Sequence, residues 1–188
     1  MIRSFLAVEL PRSILRKIEE VQEDLRATHA DVRWVNSEKI HLTLKFFGNI
    51  EESRIDPIVK AIEEPVRKTQ PFSLKVRGIR AFPQMKNPRV IWVGLVNGKE
   101  ILALLQKQIE IQLERIGFKP EDRPFHPHLT LGRMKSSRGR EELVGRMEKH
   151  QEEEFGDFQI EKLVLFKSEL RPIGPIYTPL KEMQLGSY

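Results

Sequence analysis

Two identical tetrapeptides, His41-Leu42-Thr43-Leu44 and His128-Leu129-Thr130-Leu131, stand 87 residues apart in a chain with only five histidines. In an extended strand, successive side chains point to opposite faces. Each tetrapeptide then turns one imidazole and one hydroxyl to one side and two leucines to the other. With five histidines and five threonines, this composition gives about 0.1 chance His-x-Thr pairs. Two pairs with identical intervening and following residues therefore mark a site made of two matched parts.

Histidine titrates near neutral pH, so one imidazole can be neutral while another is protonated. A base and an acid on opposite sides of a substrate suit an in-line displacement at phosphorus. The base takes a proton from the attacking water and the acid gives one to the leaving oxygen. Threonine hydroxyls can donate to the non-bridging oxygens, where negative charge grows. A metal site is the weaker reading, because two histidines without a nearby carboxylate fall short of the three protein ligands usual in catalytic zinc sites.

The elements that must position these residues repeat. Residues 2–10 read as a strand, and a helix follows from Pro11 with Ile14, Ile18, Val21 and Leu25 on one face. Ile55, Ile58, Ile62 and Val66 mark a second helix, expected to end near Pro65, and 72–82 reads as a strand. The same order returns as a strand at 89–96, a helix carrying Leu102, Leu105, Ile109, Leu113 and Ile116, the second tetrapeptide, a helix around Leu143 and Met147, and a strand at 158–166. Arg3 to Arg89 and Phe72 to Phe158 each span 86 residues, close to the histidine spacing. This predicts a single domain over 1–188 of two pseudo-symmetric lobes, with sequence repeats at about 2–82 and 89–166 and a closing strand near 176–185.

Composition agrees with a folded chain. Its 188 residues are 39% hydrophobic and 31% charged, with no apolar run long enough to span a membrane. The N-terminus, with Glu9 closing a short apolar run, is expected to be a strand rather than a secretory signal. The absence of cysteine excludes disulfides and agrees with a cytoplasmic location. A net charge of +5 predicts attraction to phosphates.

Around the tetrapeptides, Lys45 and Phe47 share the parity of His41 and are expected at the cleft, to meet phosphate and base. Arg133 has the wrong parity relative to His128 unless a bulge at Gly132 re-aims it. His126 is expected at the rim. His29 and His150 are expected in solvent, and Trp34 and Trp92 in packing.

The paired His-x-Thr motifs resemble those of the two-histidine phosphoesterase superfamily, and most closely the RNA 2′,3′-cyclic phosphodiesterase family, also called 2′-5′ RNA ligases. The context is similar nearly end to end: "RSFLAVEL", "RWVNSEKIHLTLKFFGNI", "FHPHLTLGR" and "LVLFKSELRPIGPIY". The resemblance implies an α+β, bilobal, pseudo-twofold fold with antiparallel sheets lining a central cleft and helices outside. It implies metal-independent opening of a terminal 2′,3′-cyclic phosphate to a 2′-phosphate, with no cofactor and with ATP-independent 2′-5′ ligation from the same site. It assigns His41 as proton donor and His128 as proton acceptor, with Thr43 and Thr130 beside them. It also places Arg133 with the substrate. The implied partners are RNA ends carrying the cyclic phosphate, tRNA halves among them, met by a monomer without a membrane. The alternative is a non-catalytic RNA-end binder, against which the presence of both histidines argues.

Overall fold

The first strand, β1 (Ile2–Glu9), is apolar on both faces because it lies inside a sheet. Leu6 and Val8 enter the main core, whereas Phe5 and Ala7 join Val164 and Phe166 in a separate cluster on the other face. The computed structural model describes residues 1–187. The remaining elements are α1 (Arg12–Arg26), β2 (Val32–Trp34), β3 (His41–Ile50), α2 (Ile55–Lys68), β4 (Phe72–Gln84), β5 (Asn87–Leu95), α3 (Lys99–Arg115), β6 (Leu129–Met134), α4 (Arg140–Lys149), β7 (Glu154–Ile160), β8 (Lys162–Arg171) and β9 (Gly174–Gln184).

Two antiparallel sheets result, with strand orders β3-β1-β8-β9 and β2-β6-β5-β4-β7. The fold is α+β and bilobal, with the sheets lining a cleft and helices on their outer faces. Matching the two motif strands pairs β3 with β6 and β1 with β5. That leaves β2 as an extra strand on the second sheet.

The lobes do not follow the halves of the sequence. β2 and β4, from the first half, belong to the five-stranded sheet, and the β8–β9 hairpin completes the sheet of β1 and β3. Helices cross over as well. α1 and α4 pack behind the five-stranded sheet, and α2 and α3 behind the four-stranded one. Each motif strand is thus backed by a helix from the other half of the chain.

One expected boundary shifts. The single strand expected at 158–166 is two strands in different sheets, parted at Glu161. Apolar residues stand on both sides of the break, Phe158 and Ile160 before it and Leu163 to Phe166 after it, so the stretch reads as one strand. α2 continues past Pro65 to Lys68, with Pro65 buried inside it.

Candidate active site

β3 and β6 position the tetrapeptides. Leu42, Leu44, Leu129 and Leu131 are buried in the main core. They fix which face their neighbours take, because a one-residue slip would expose all four. His41 opens β3 and His128 immediately precedes β6, with Thr43 and Thr130 two residues on, all half-buried.

The two imidazoles are held alike. Nδ1 of His41 bonds the Lys39 carbonyl at 2.8 Å, and Nδ1 of His128 bonds the His126 carbonyl at 2.6 Å. A carbonyl only accepts, so each Nδ1 carries the hydrogen and each Nε2 is left for chemistry. Neither Nε2 has another hydrogen bond among the described residues. Rings wall both sites. Phe5 stacks on His41 at 4.6 Å with Tyr177 edge-on at 5.2 Å, and Phe82 and Trp92 stand edge-on to His128 at 5.2 and 5.8 Å.

This apolar burial pushes both histidines below the ordinary imidazole value. The carbonyl bonds work against the shift in each case. His126 and Arg133 add to it at His128.

A matched irregularity follows each motif. Ala7 pairs with Thr43 but Leu6 with Lys45, so Leu44 is an extra residue. Trp92 pairs with Thr130 but Ile91 with Gly132, so Leu131 is its counterpart. Each bulge puts two consecutive residues on the core side and reverses the alternation beyond it. A buried glutamine reaches each bulge carbonyl from the helix behind. Gln22 Nε2 on α1 donates to Leu131 O at 3.0 Å, and Gln106 Nε2 on α3 to Leu44 O at 3.4 Å.

The bulges decide the neighbouring residues. Lys45, expected at the cleft, is 4% exposed on the core side, where Nζ meets Glu110 at 3.0 Å and the Lys119 carbonyl at 2.9 Å. Phe47, expected to stack on a base, packs against the core and Phe118 instead. Simple alternation fails here because it ignores the inserted Leu44. Phe46 takes the cleft face, 54% exposed and 5.7 Å from the Phe5 ring. Arg133 is turned to the cleft face near His128, by a bulge one residue earlier than Gly132.

Sequence reasoning also missed the walls of the site. Trp92, expected only in packing, stands against His128, and His126 supplies its backbone carbonyl. Trp34 does pack on the core. An open depression of about 400 Å³ beside His41 is lined by Glu38, Lys39 and Tyr177. Another of about 490 Å³ beside His126 is lined by Arg77, Arg80 and Lys99. His150, expected in solvent, lies between Asp24 at 2.8 Å and Glu153 at 3.0 Å, just past the end of α4. Among the described residues, no group of three or more His, Cys, Asp or Glu side chains is placed to hold a metal ion, and no helix is long and apolar enough to cross a membrane.

The family model described as LigT like Phosphoesterase matches twice, at residues 8–92 and 93–177. Among curated relatives, the RNA 2′,3′-cyclic phosphodiesterase of Methanothermobacter thermautotrophicus is 35% identical, over 98% of this chain and 99% of the relative. That of Aquifex aeolicus is 32% identical, over 99% and 98%. The crystal structure of TT0787 of Thermus thermophilus is similar with a TM-score of 0.81 at 28% identity, covering 98% of both chains. Escherichia coli LigT complexed with 3′-AMP shares the fold, with a TM-score of 0.77 at 24% identity over 98% of both chains. With both repeats matched and full-length relatives at this identity, the chain belongs to the LigT-like phosphoesterase family.

Proposed function

We propose that this chain hydrolyses a 2′,3′-cyclic phosphate at an RNA or nucleoside end to a 2′-phosphomonoester, by metal-independent acid–base catalysis with His41 and His128. The observation that carries the reading is the matched tethering of the two rings, each by Nδ1 to the carbonyl two residues before it. Each ring keeps a fixed tautomer and offers Nε2 to the cleft. The names of the curated relatives agree with the reaction.

In the proposed step, His128 Nε2 takes a proton from water as the water oxygen bonds to phosphorus. The bond from phosphorus to the 3′-oxygen breaks, and His41 Nε2–H protonates that oxygen. The product carries a 2′-phosphate and a free 3′-hydroxyl. Thr43 and Thr130 donate to the non-bridging oxygens, and Arg133 adds positive charge beside them. Burial keeps His128 neutral, as a base requires. It works against His41, which must be protonated, so the anionic substrate has to offset that shift on binding. If an RNA 5′-hydroxyl replaces water, the same steps form a 2′-5′ linkage without ATP. RNA ends, tRNA halves among them, are the proposed substrates, and the proposed working form is a cytoplasmic monomer.

Incubation with a nucleoside 2′,3′-cyclic phosphate in EDTA tests the reading. The expected product is the nucleoside 2′-monophosphate. Binding without turnover would favour an RNA-end binder, and activity lost on chelation and restored by zinc or manganese would overturn the metal-free mechanism.

A further inference from the structure

β2 has no counterpart in the four-stranded sheet. It is three residues long, and its outer two, Val32 and Trp34, pack against the core. It can lie there because position 132 is glycine. A Cβ on Gly132 would stand 2.7 Å from Val32 Cγ1 and 2.9 Å from the Trp34 ring. The equivalent position in the other lobe is Lys45, whose side chain fills the space with its ion pair. The fold thus gives up a side chain at 132 to seat an extra strand next to the second motif.

What β2 brings to the cleft face is Arg33. It pairs directly across the ladder with Arg133, on the side opposite Val32, Trp34 and Gly132. Both arginines are exposed, and neither has an acidic or hydrogen-bonding partner among the described residues. The adjacent carboxylate is engaged elsewhere. Asp31 accepts from Ser136 Oγ at 2.6 Å and faces Arg138 at 3.9 Å. Like charges directly opposite in a sheet are destabilising, so this pair persists at a cost that a bound anion would remove.

Two arginines of β4 in the same sheet, Arg77 and Arg80, share an acidic partner. Arg77 and Arg80 meet Glu152 at 2.8 and 3.6 Å, and Arg80 also donates to the Gln151 carbonyl. Positive charge without an acidic partner thus stands beside His128 at the β2–β6 edge.

We infer that Arg33 and Arg133 form a two-guanidinium fork for the phosphodiester that joins the terminal nucleotide to its 5′ neighbour. The inference rests on the phosphodiesterase reading above. One strand spacing of about 4.8 Å sets Arg33 farther from His128 than Arg133, along the path a strand would take out of the site. Guanidinium groups suit this ligand because their planar donors match phosphate oxygens two at a time. The fork makes the chain select the ends of RNA strands over free cyclic mononucleotides.

The test compares a nucleoside 2′,3′-cyclic phosphate with a dinucleotide that ends in the same group. It uses wild type, Arg33→Ala and Arg33→Lys over a range of KCl concentrations, with binding and turnover both measured. Wild type should prefer the dinucleotide. Arg33→Ala should cut that preference about tenfold, through KM, as expected for one charged contact to phosphate. Its slope of log binding constant against log salt for the dinucleotide should shrink by about 0.7, one phosphate contact on a single strand. Arg33→Lys should keep the slope and lose part of the preference. The Tm of Arg33→Ala should not fall, since a like-charge neighbour is removed. An unchanged preference, an equal loss on both substrates, or a lowered Tm would overturn the fork. Arg33-dependent dinucleotide binding without turnover of either substrate would leave the fork standing and reject the phosphodiesterase reading instead.

Discussion

Phe46 and Arg133 hold the same place in the two lobes. Each stands five residues after its motif histidine, and each is turned into the cleft by a bulge whose extra residue is a leucine. One lobe thereby offers a ring, and the other a guanidinium, to the cleft.

Phe46→Ala should raise KM about 10- to 100-fold, the loss expected for one base stacked on an aromatic ring. Phe47→Ala should act on stability instead, lowering it by up to about 3 kcal/mol with KM little changed. Lys45→Met should cost about 3 kcal/mol, because it leaves the largely buried Glu110 carboxylate with the Gln106 amide and no cation. Steady-state kinetics and denaturant melts on the three variants check this division. A KM effect at Phe47 or Lys45 as large as at Phe46 would contradict the register.

Gln22→Leu removes the donor to the Leu131 carbonyl and to the Val35 carbonyl at 2.9 Å. Leu131 O keeps the Val35 N–H at 2.8 Å, so the Val35 carbonyl is the one left without its donor, at a cost of about 1–3 kcal/mol. The bulge that aims Arg133 loses its support from behind, so KM should rise as well. Gln22→Glu keeps the shape without the NH2 donors and should lose as much. A stability loss with KM untouched would show that the bulge holds without the glutamine.

His41→Ala and His128→Ala should each lower kcat by at least about 100-fold, by removing one proton transfer. The double variant should lose little more than the worse single, since the displacement uses both groups together. A better leaving group at the 3′ position needs little protonation, so it should rescue His41→Ala and not His128→Ala. Rescue of His128→Ala alone would exchange the acid and the base.

The pH profile of kcat/KM should be bell-shaped, its limbs reporting the pair of histidines in the free protein. The basic limb is loss of the proton from the acid. Burial lowers the His41 pKa, so that limb should begin below the ordinary imidazole value. In the complex the phosphate anion raises it, so the basic limb of kcat should lie at higher pH than that of kcat/KM. Coincident limbs would mean that substrate charge does not reach His41.

His150 tests the scaffold away from the site. Burial alone would lower its pKa, but the Asp24 and Glu153 carboxylates outweigh that and raise it. A pKa raised in the folded state stabilises most below the unfolded value of about 6.5 and fades as pH rises through the folded value. The gap in Tm between wild type and His150→Ala should therefore be wider at pH 5.5 than at pH 9. A gap that is constant with pH would reduce His150 to a packing residue.

The facing of His41, Thr43, His128 and Thr130 was legible from sequence because a period of two needs only neighbouring residues and four leucines to choose the buried face. The duplication was legible too, since it is written in the order and spacing of elements. Where alternation ran past Leu44 it misplaced Lys45 and Phe47 and overlooked Phe46. A bulge is decided by which residues the partner strand offers, and β1 is more than thirty residues away along the chain. The same limit explains Glu161, where distant strand partners decide the sheet on either side, β4 for β7 and β1 for β8.

The sequence by itself determined that two matched imidazole–hydroxyl pairs exist and which side of their strands they occupy. Tertiary structure decided what stands beside them: the helix from the opposite half behind each motif, the aromatic walls, the cleft face of Phe46, and the arrival of β2 with Arg33 next to Arg133. Side-chain direction follows from local backbone geometry, whereas strand partners and register follow from burying apolar surface across the whole chain, which no short stretch of residues contains.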